Sequence, residues 1–338
     1  MSELRTLLAD TTEKVLGGLE GLDFAAAWSR IEEAGLHKVL VPEELGGFGG
    51  TWSDALIVIR ASGYYATPLP LPQAILAAML CADAGLEIPA GPLTFAEDTQ
   101  GAVTNGSFRG EMWKVPQGRQ CDIIVGLGGD EVIAAVRTCS ETSYQTKSDG
   151  GAELDVFFFA DKPVLAARSH RWDYFRAYHA SIMMSAAQMA GAMQAALDLS
   201  TDYVRERKQF GKPLAAFQAI QQQIAVMAEE VAAATMSAAA AFASVGEHNY
   251  PMLQWREPPF EIMAAKLRAN MAVGVVTGVA HQVHGAMGFT KEYRLQKLTR
   301  LLWQWRSDYG NDRHWAERLG ATIAAAGADG FWPALVNP

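Results

Sequence analysis

Four cations surround a single turn of this chain, and their side chains could bind an anion. They are Arg205, Arg207, Lys208 and Lys212. Taken alone, the segment is typical of a helix–loop–helix corner, with Gly211 as the left-handed stop of one helix and Pro213 at the start of the next. Clustered guanidinium and ammonium groups also suit a pyrophosphate. The corner is therefore a candidate anion site.

A second segment with possible chemistry follows another long helical pattern. It runs over residues 282–289, where Gly285, Ala286 and Gly288 are small and Phe289 ends the run. Small residues at the end of a helix let a ligand approach the backbone closely. An ordinary helix C-cap explains the same pattern, so this segment carries little weight on its own.

The composition limits the functions that this chain can have. It has 338 residues with 28 Lys+Arg against 37 Asp+Glu, a net charge of −9, which disfavours nucleic acid as the main partner. The 50% of hydrophobic residues exclude a disordered chain. Only 19% of residues are charged, which suggests that another subunit covers part of the surface. Neither a secretory signal nor a membrane span is predicted, and we expect a cytoplasmic protein.

Three compositional blocks predict an α+β, mostly α protein. Residues 1–90 are predicted to form a helical domain, residues 91–168 a small β domain, and residues 169–338 a bundle of long helices. The bundle helices are predicted over Ala180–Arg207, Leu214–Gly246 and Pro259–His284. The second holds no charge between Leu214 and Ala228, so it is expected to be buried on most faces against another subunit.

The β block is expected to be a compact antiparallel unit. Its strands are short and rich in Val, Ile and Phe, with a hairpin-type turn at residues 128–130. The polar stretch Ser140–Glu153 is expected to be an exposed loop. The glycine-rich stretch Val41–Gly50 excludes regular structure and is either a flexible surface turn or a loop packed close to a neighbouring backbone.

Three segments together resemble the acyl-CoA dehydrogenase family. Residues 207–214 look like its R-x-x-F-G-x-P-L corner, residues 282–293 like its Q-x-x-G-G-x-G-[FY]…E-Y segment, and residues 41–49 like its V-P-E-E-x-G-G-x-G segment. The three matches occur in the family's order over nearly the whole chain. The resemblance implies the acyl-CoA dehydrogenase fold, with an N-terminal helical domain, a middle β-barrel, a C-terminal four-helix bundle, and FAD as cofactor.

The resemblance also implies which residues contact the cofactor. In such enzymes the corner and the glycine segment reach across a dimer interface to the pyrophosphate and adenine side of the neighbour's FAD. The residues that would take these roles here are Arg207, Phe210, Gln218, Gln282, Gly285 and Ala286. Ala286 departs from the pattern, because it replaces the second glycine.

The family's glutamate base is missing from both of its usual places. The family chemistry removes an α-proton with a carboxylate while a β-hydride goes to the flavin. Tyr309 stands in the place of that glutamate, and Ser181 occupies the alternative position in the first bundle helix. Neither side chain is a competent base near neutral pH. The neighbouring Asp308 is a possible relocated base, although one residue along a helix turns a side chain by about 100°.

The flavin-facing part of the β block departs as well. The family's T-E-P-x-x-G-S-D segment survives only as a remnant at residues 95–98, and W-I-T-N-G has no match. Because both losses spare the motifs that act across the interface, the chain resembles the short subunit of heteromeric (α2β2) steroid side-chain acyl-CoA dehydrogenases. This predicts a paralogous partner subunit, a bulky acyl-CoA substrate and electron-transfer flavoprotein as acceptor. A non-catalytic scaffold paralogue and a self-sufficient homotetramer are the alternatives.

Three further clusters have simpler explanations. His281 and His284 lie three apart on a helix without an acidic ligand at matching spacing, so packing is favoured over a metal site, and none is predicted. Trp303, Trp305 and Trp315 could stack on adenine, but helix packing at a subunit seam is favoured. A run of methionines over residues 183–193 could line an acyl pocket, although core packing is the commoner role.

Overall fold

The computed structural model describes residues 3–128, 131–136, 142–147, 153–169, 171–245 and 257–336. Along this part of the chain, helices come first, strands follow over residues 93–168, and long helices complete the fold. The helices are α1 (Glu3–Gly17), α2 (Phe24–Glu33), α3 (Trp52–Tyr64), α4 (Leu71–Asp83), α5 (Tyr174–Glu206), α6 (Gln218–Ser244), α7 (Phe260–His284), α8 (Arg294–Ser307) and α9 (Asp312–Val336). The predicted α+β, mostly α class is confirmed.

The N-terminal helices pack on the bundle through a very close crossing of α3 and α5. A Cβ atom added to Gly63 would lie 1.9 Å from the carbonyl oxygen of Gln188, and one added to Gly191 would lie 1.9 Å from that of Arg60. Only glycine allows two helix backbones to approach so closely. The crossing fixes the N-terminal helices against the first bundle helix.

The glycine-rich loop of residues 41–50 is folded back on its own backbone. A Cβ atom on Gly47 would lie 2.2 Å from the carbonyl oxygen of Val41, and one on Gly50 would lie 2.6 Å from that of Val39. The Gly49 N–H donates to the Val41 carbonyl at 2.8 Å. Of the two possibilities that the sequence left open, the structure shows the closely packed loop.

The β domain contains two four-stranded sheets, ordered β1-β4-β5-β8 and β2-β3-β7-β6. The strands are β1 (Leu93–Phe95), β2 (Asp98–Thr104), β3 (Ser107–Pro116), β4 (Ile123–Gly128), β5 (Glu131–Val136), β6 (Thr142–Lys147), β7 (Glu153–Pro163) and β8 (Leu165–Arg168). The prediction of a purely antiparallel unit is wrong, because β1 pairs with β4 in parallel, Leu93 opposite Ile123. The short β1 follows α4 in the chain, and no hairpin connects it to its parallel neighbour β4.

The predicted loop Ser140–Glu153 is partly wrong, because it contains β6. This strand pairs with β7 and lies at the edge of its sheet, with Tyr144 opposite Val156. An edge strand has one free side and tolerates a polar sequence, which hides the strand pattern. The predicted turn at residues 128–130 extends outside the described residues.

The bundle helices start and end at places that differ from the predicted ones. Helix α5 begins six residues before the predicted Ala180, since the Asp173 side chain accepts the Arg176 N–H at 2.9 Å as an N-cap. It ends at Glu206, so Gly211 is not its stop. Phe210 (φ 53°) and Gly211 (φ 81°) instead form the turn of a hairpin between β9 (Lys208–Gln209) and β10 (Lys212–Pro213).

Helix α6 exposes much of its apolar surface. Its N-cap residue is Phe217, so it begins four residues later than the predicted Leu214. Val226 is 46% exposed and Met236 is 69% exposed on this helix. By length and composition alone, helices α6 and α7 could each cross a membrane, a property that they share with the core helices of soluble proteins. Within one subunit, α6 is therefore not buried on most of its faces, and the predicted burial would require contacts with another subunit.

Candidate functional site

The six predicted cofactor contacts lie at one end of the bundle, where α5 and α7 end and α6 begins. We call this set the bundle-end surface: Arg207, Phe210, Gln218, Gln282, Gly285 and Ala286. All six are exposed, and Phe210 is 89% exposed. The corner is tied to its neighbours by the Leu214 N–H, which donates to the Arg207 carbonyl at 2.9 Å. The structure therefore brings the two candidate segments together on one surface.

The polar groups of the bundle-end surface are available to a ligand. Within the part of the chain that the structure describes, the side chains of Arg207, Gln218 and Gln282 have no hydrogen-bond or ion-pair partner. The N-cap of α6 is Phe217, whose side chain cannot accept the helix's first N–H groups. A guanidinium and a helix N-terminus on one surface favour a phosphate-bearing ligand.

The glycine segment has a backbone shape that brings it close to a ligand. Gly285 has φ 58° and ψ −140°, a region that side chains rarely allow, and a Cβ atom there would contact nothing within 4 Å. A ligand can therefore approach the backbone of Gly285 without meeting a neighbouring side chain. Ala286 follows as an exposed residue, so its methyl group replaces the family's second glycine at the surface rather than in the core.

A second site lies inside the subunit, between α4, the β domain, α5 and the turn from α8 to α9. We call it the internal cleft. Its lining includes Ser181, Gln188, Glu97, Asp308 and Tyr309. The free space is about 100 Å³, whereas pockets for drug-sized ligands hold roughly 300 to 1,000 Å³. The structure thus places all the residues at the family's base positions in one small cleft.

Tyr309 lines the internal cleft and has a strained backbone conformation. Its φ is 58°, unusual for an aromatic residue, and its side chain is 8% exposed. The side chain hydrogen-bonds with Glu97 and Gln73, and burial raises its pKa far above the usual range. Tyr309 therefore stays protonated and cannot act as a base.

Glu97 is the partner of Tyr309 across the cleft. Its carboxylate is 9% exposed and lies 3.4 Å from the Lys114 ammonium. Burial raises the pKa of Glu97 to about 7, with Lys114 opposing the shift. The carboxylate therefore has a cation and a phenol as partners inside the subunit.

The other two candidates differ in their surroundings. The Ser181 hydroxyl donates to the Ala177 carbonyl of its own helix at 2.9 Å, and no acceptor near it could activate it among the described contacts. Burial raises the pKa of Asp308, while the nearby Lys266 ammonium opposes the shift. Asp308 accepts from the Gln304 amide at 3.4 Å. Of the two, only Asp308 has the chemistry of a base.

Sequence reasoning missed Lys266 and Asn270 of α7. Lys266 is fully buried and donates to the Asn270 side chain at 2.9 Å and to the Trp305 carbonyl. Burial lowers the pKa of Lys266 to about 7. Asn270 donates to the Gly310 carbonyl at 3.2 Å, so both residues hold the strained turn. Their i, i+4 spacing within an apolar helix was the available signal.

Comparison with known proteins gives these sites a context. Residues 179–302 match the family described as acyl-CoA dehydrogenase, C-terminal domain. Acyl-CoA dehydrogenase IpdE2 of Mycolicibacterium smegmatis is 26% identical over 266 residues, covering 78% of this chain and 77% of the relative.

Residues 179–302 thus carry the C-terminal domain of the acyl-CoA dehydrogenase family, and the chain is similar to an acyl-CoA dehydrogenase over 78% of its length. The resemblance found in the sequence is confirmed, and FAD is the cofactor of this family.

Solved acyl-CoA dehydrogenases have the same fold as this chain. The ChsE4-ChsE5 complex from Mycobacterium tuberculosis contains a chain that superposes with a TM-score of 0.80 at 19% identity, over 97% of this chain and 99% of that one. A variant of the Tcur3481-Tcur3483 steroid ACAD gives 0.80 at 20% identity, over 96% and 99%. At such low identity the likeness establishes the fold alone.

The two sites differ in how well they fit FAD. The bundle-end surface offers an unpaired guanidinium, two free amides and an open backbone, which fit the pyrophosphate and adenine side of a dinucleotide. The internal cleft is smaller than a ligand pocket, and Tyr309 and Glu97, which line it, are hydrogen-bonded to each other. It does not fit a flavin ring together with an acyl group.

The raised pKa of Glu97 predicts a pH effect on stability. An unfolded chain ionises this carboxyl near pH 4.5, whereas the folded chain does so near 7, so its contribution to stability falls as the pH rises between these values. Glu97→Gln is expected to remove this fall. Over this pH range, its free energy of unfolding should therefore rise relative to that of the wild type by about 2 kcal/mol. Melting temperatures between pH 5 and 8 test this, with Glu317→Gln as an exposed control. Parallel curves for wild type and Glu97→Gln would refute it.

Proposed function

We propose that this chain is a subunit of an FAD-dependent acyl-CoA dehydrogenase, and that it completes the FAD site of a paralogous partner in a heterotetramer. One observation carries the proposal: the residues expected to contact the cofactor are exposed at the bundle end, where the polar ones have no side-chain partner among the described residues, while the subunit's internal cleft is small and lined by Tyr309 and Glu97. The surface expected to contact a neighbour's cofactor is therefore open, whereas the internal cleft is smaller than a ligand pocket.

Each residue of the bundle-end surface has a role in this proposal. The Arg207 guanidinium would bind the pyrophosphate, as a planar cation does best. The Gln218 and Gln282 amides would hydrogen-bond the dinucleotide, and Gly285 and Ala286 would let it lie against the backbone. FAD, when bound, accepts the β-hydride of the acyl thioester. This chain orients the cofactor and shields it from water, and the partner supplies the base that removes the α-proton.

The exposed apolar face of α6 supports a partner subunit. The helix has 27 residues, and its most apolar stretch is only 28% buried within one subunit. Contiguous apolar surface of this kind marks a contact with another protein. Burial of this face against a partner would also explain the low share of charged residues. We further propose that the protein is cytoplasmic.

The substrate and the electron acceptor are further parts of the proposal. A bulky or steroid-derived acyl-CoA is favoured by the resemblance to heteromeric steroid enzymes and by the fold shared with a chain named as a steroid ACAD. Electron-transfer flavoprotein is the expected acceptor. Both parts of the proposal follow from the resemblance.

Asp308 favours a second candidate, a self-sufficient enzyme with a relocated base. Its carboxylate lines the internal cleft, and burial raises its pKa toward the range of a general base. Full activity in Asp308→Asn would remove this candidate. Its weakness is the 100 Å³ of free space, which leaves no room for substrate.

Co-expression with a paralogue tests the proposed function. The chain alone should be colourless, and the copurified complex should be yellow with FAD and should oxidise acyl-CoA. Yellow, active protein from this chain alone would contradict the proposal in favour of the homotetramer. A stable complex with neither flavin nor activity would favour the scaffold paralogue.

A further inference from the structure

His284 contacts aromatic residues on both sides, directly below the bundle-end surface. Its ring stacks on Tyr203 of α5 with centroids 4.4 Å apart, and the Tyr203 hydroxyl donates to the His284 carbonyl at 3.5 Å. The ring nitrogen Nε2 lies 3.1 Å from the Tyr293 hydroxyl. Only 3% of His284 is exposed. The imidazole is therefore held by the end of α5 and by the start of α8.

The partners of His284 fix its proton. Nδ1 lies 2.8 Å from the Ala280 carbonyl, which can only accept, so Nδ1 carries the hydrogen. In the neutral ring Nε2 then accepts from the Tyr293 hydroxyl. This arrangement holds the residue that immediately precedes Gly285, whose backbone adopts the unusual conformation described above.

Tyr203 connects the same group to the other candidate segment. Its carbonyl accepts the N–H of Arg207 at 2.8 Å, the last hydrogen bond of α5 before the chain turns into the hairpin. One stacked ring pair therefore lies between the Arg207 corner and the Gly285 segment. Any movement of the Tyr203–His284 pair changes the spacing between the two segments.

We propose that Tyr203, His284 and Tyr293 form a positioning unit that sets this spacing, so that the Arg207 corner and the Gly285 segment bind one dinucleotide of the partner subunit together. The inference rests on the proposed function, and it deepens it by assigning roles to residues that do not touch the cofactor. Stacked and hydrogen-bonded side chains of this kind hold binding groups in productive geometry.

The unit is sensitive to protonation of His284. Its burial lowers the pKa of the imidazole, and His281 on the same helix faces it. Tyr203 and Tyr293 face it from α5 and from the residue before α8, and the acidic groups near Tyr293 are Asp202 and Glu206. A protonated Nε2 can no longer accept from Tyr293. The unit therefore weakens as the pH falls through the lowered pKa of His284.

FAD titrations of the purified apo-complex test the positioning unit. Tyr203→Leu, which removes the stack and the hydroxyl, is expected to raise the Kd for FAD about 10-fold. Tyr293→Phe should raise it about 3-fold at pH 7.5 and flatten the increase that the wild type shows between pH 7.5 and 5.5. Tyr178→Phe is the matched control at the far end of α5, where the hydroxyl donates to the Tyr309 carbonyl.

The outcomes separate this inference from the proposed function. Unchanged Kd values and pH profiles in Tyr203→Leu and Tyr293→Phe, with tight binding by the wild type, would overturn the positioning unit alone. A wild-type complex that binds no FAD would overturn the proposed function and the positioning unit with it. Melting temperatures of each complex identify variants that fail to fold, and Tyr293→Phe, which removes a single oxygen, then decides.

Discussion

Arg207→Ala is expected to strip FAD from the complex of this chain with its partner, raising the Kd for FAD about 10- to 100-fold. The guanidinium is exposed, has no acidic partner among the described residues and lies where α5 turns into the hairpin. A charge-assisted hydrogen bond to a phosphate is among the strongest that a protein makes. Titration of the apo-complex with FAD, followed by flavin fluorescence, measures the loss.

Arg205→Ala is the matched control for this variant. Arg205 is an exposed cation in the last turn of α5, whereas Arg207 follows the helix as its C-cap residue with an extended backbone. Its removal tests whether net charge alone attracts the cofactor. Equal Kd values in Arg207→Ala and the wild type would show that the bundle-end surface does not contact FAD.

Gly191→Ala is expected to have the largest effect on stability, roughly 3 kcal/mol or more. The added methyl would lie 1.9 Å from the Arg60 carbonyl oxygen and 2.9 Å from the Tyr64 nitrogen, which are backbone atoms that cannot rotate away. Helices α3 and α5 would have to separate along their crossing. Because this crossing joins the N-terminal helices to the bundle, the midpoint of urea unfolding should fall steeply.

Gly320→Ala is expected to shift the midpoint of urea unfolding in the opposite direction. Gly320 is exposed in α9, and an added Cβ atom would contact nothing within 4 Å. Alanine is a better helix former than glycine by up to about 1 kcal/mol, so this variant should be slightly more stable. A wild-type midpoint for Gly191→Ala would mean that the two helices do not cross as closely as described.

Much of the fold could be predicted because long periodic helices have a strong local signal. The helix ends were less predictable, since they depend on single contacts. Asp173 caps α5 through the Arg176 N–H, and the hairpin after Glu206 replaces a simple glycine stop. The parallel pair of β1 and β4 was hidden because β1 has three residues, too few for a pattern.

The candidate site divides in the same way. Contiguous sequence motifs were enough to predict the residues of the bundle-end surface, and the structure brings these residues together on one surface. The contacts around the internal cleft join distant parts of the sequence, because Glu97 meets Tyr309, and Lys266 meets the last turn of α8, only in the folded chain. The sequence pattern places Tyr309 at the position of the missing base, but it contains no sign that the side chain is hydrogen-bonded to Glu97 and Gln73.

The flavin content of the purified complex tests the central claim most directly. The absorbance of FAD released from a complex of known subunit composition gives the number of flavins per chain. If this chain only completes its partner's site, the complex holds half as many FAD molecules as chains, and the chain alone holds none. One FAD for every chain, or flavin retained by this chain alone, would contradict the account.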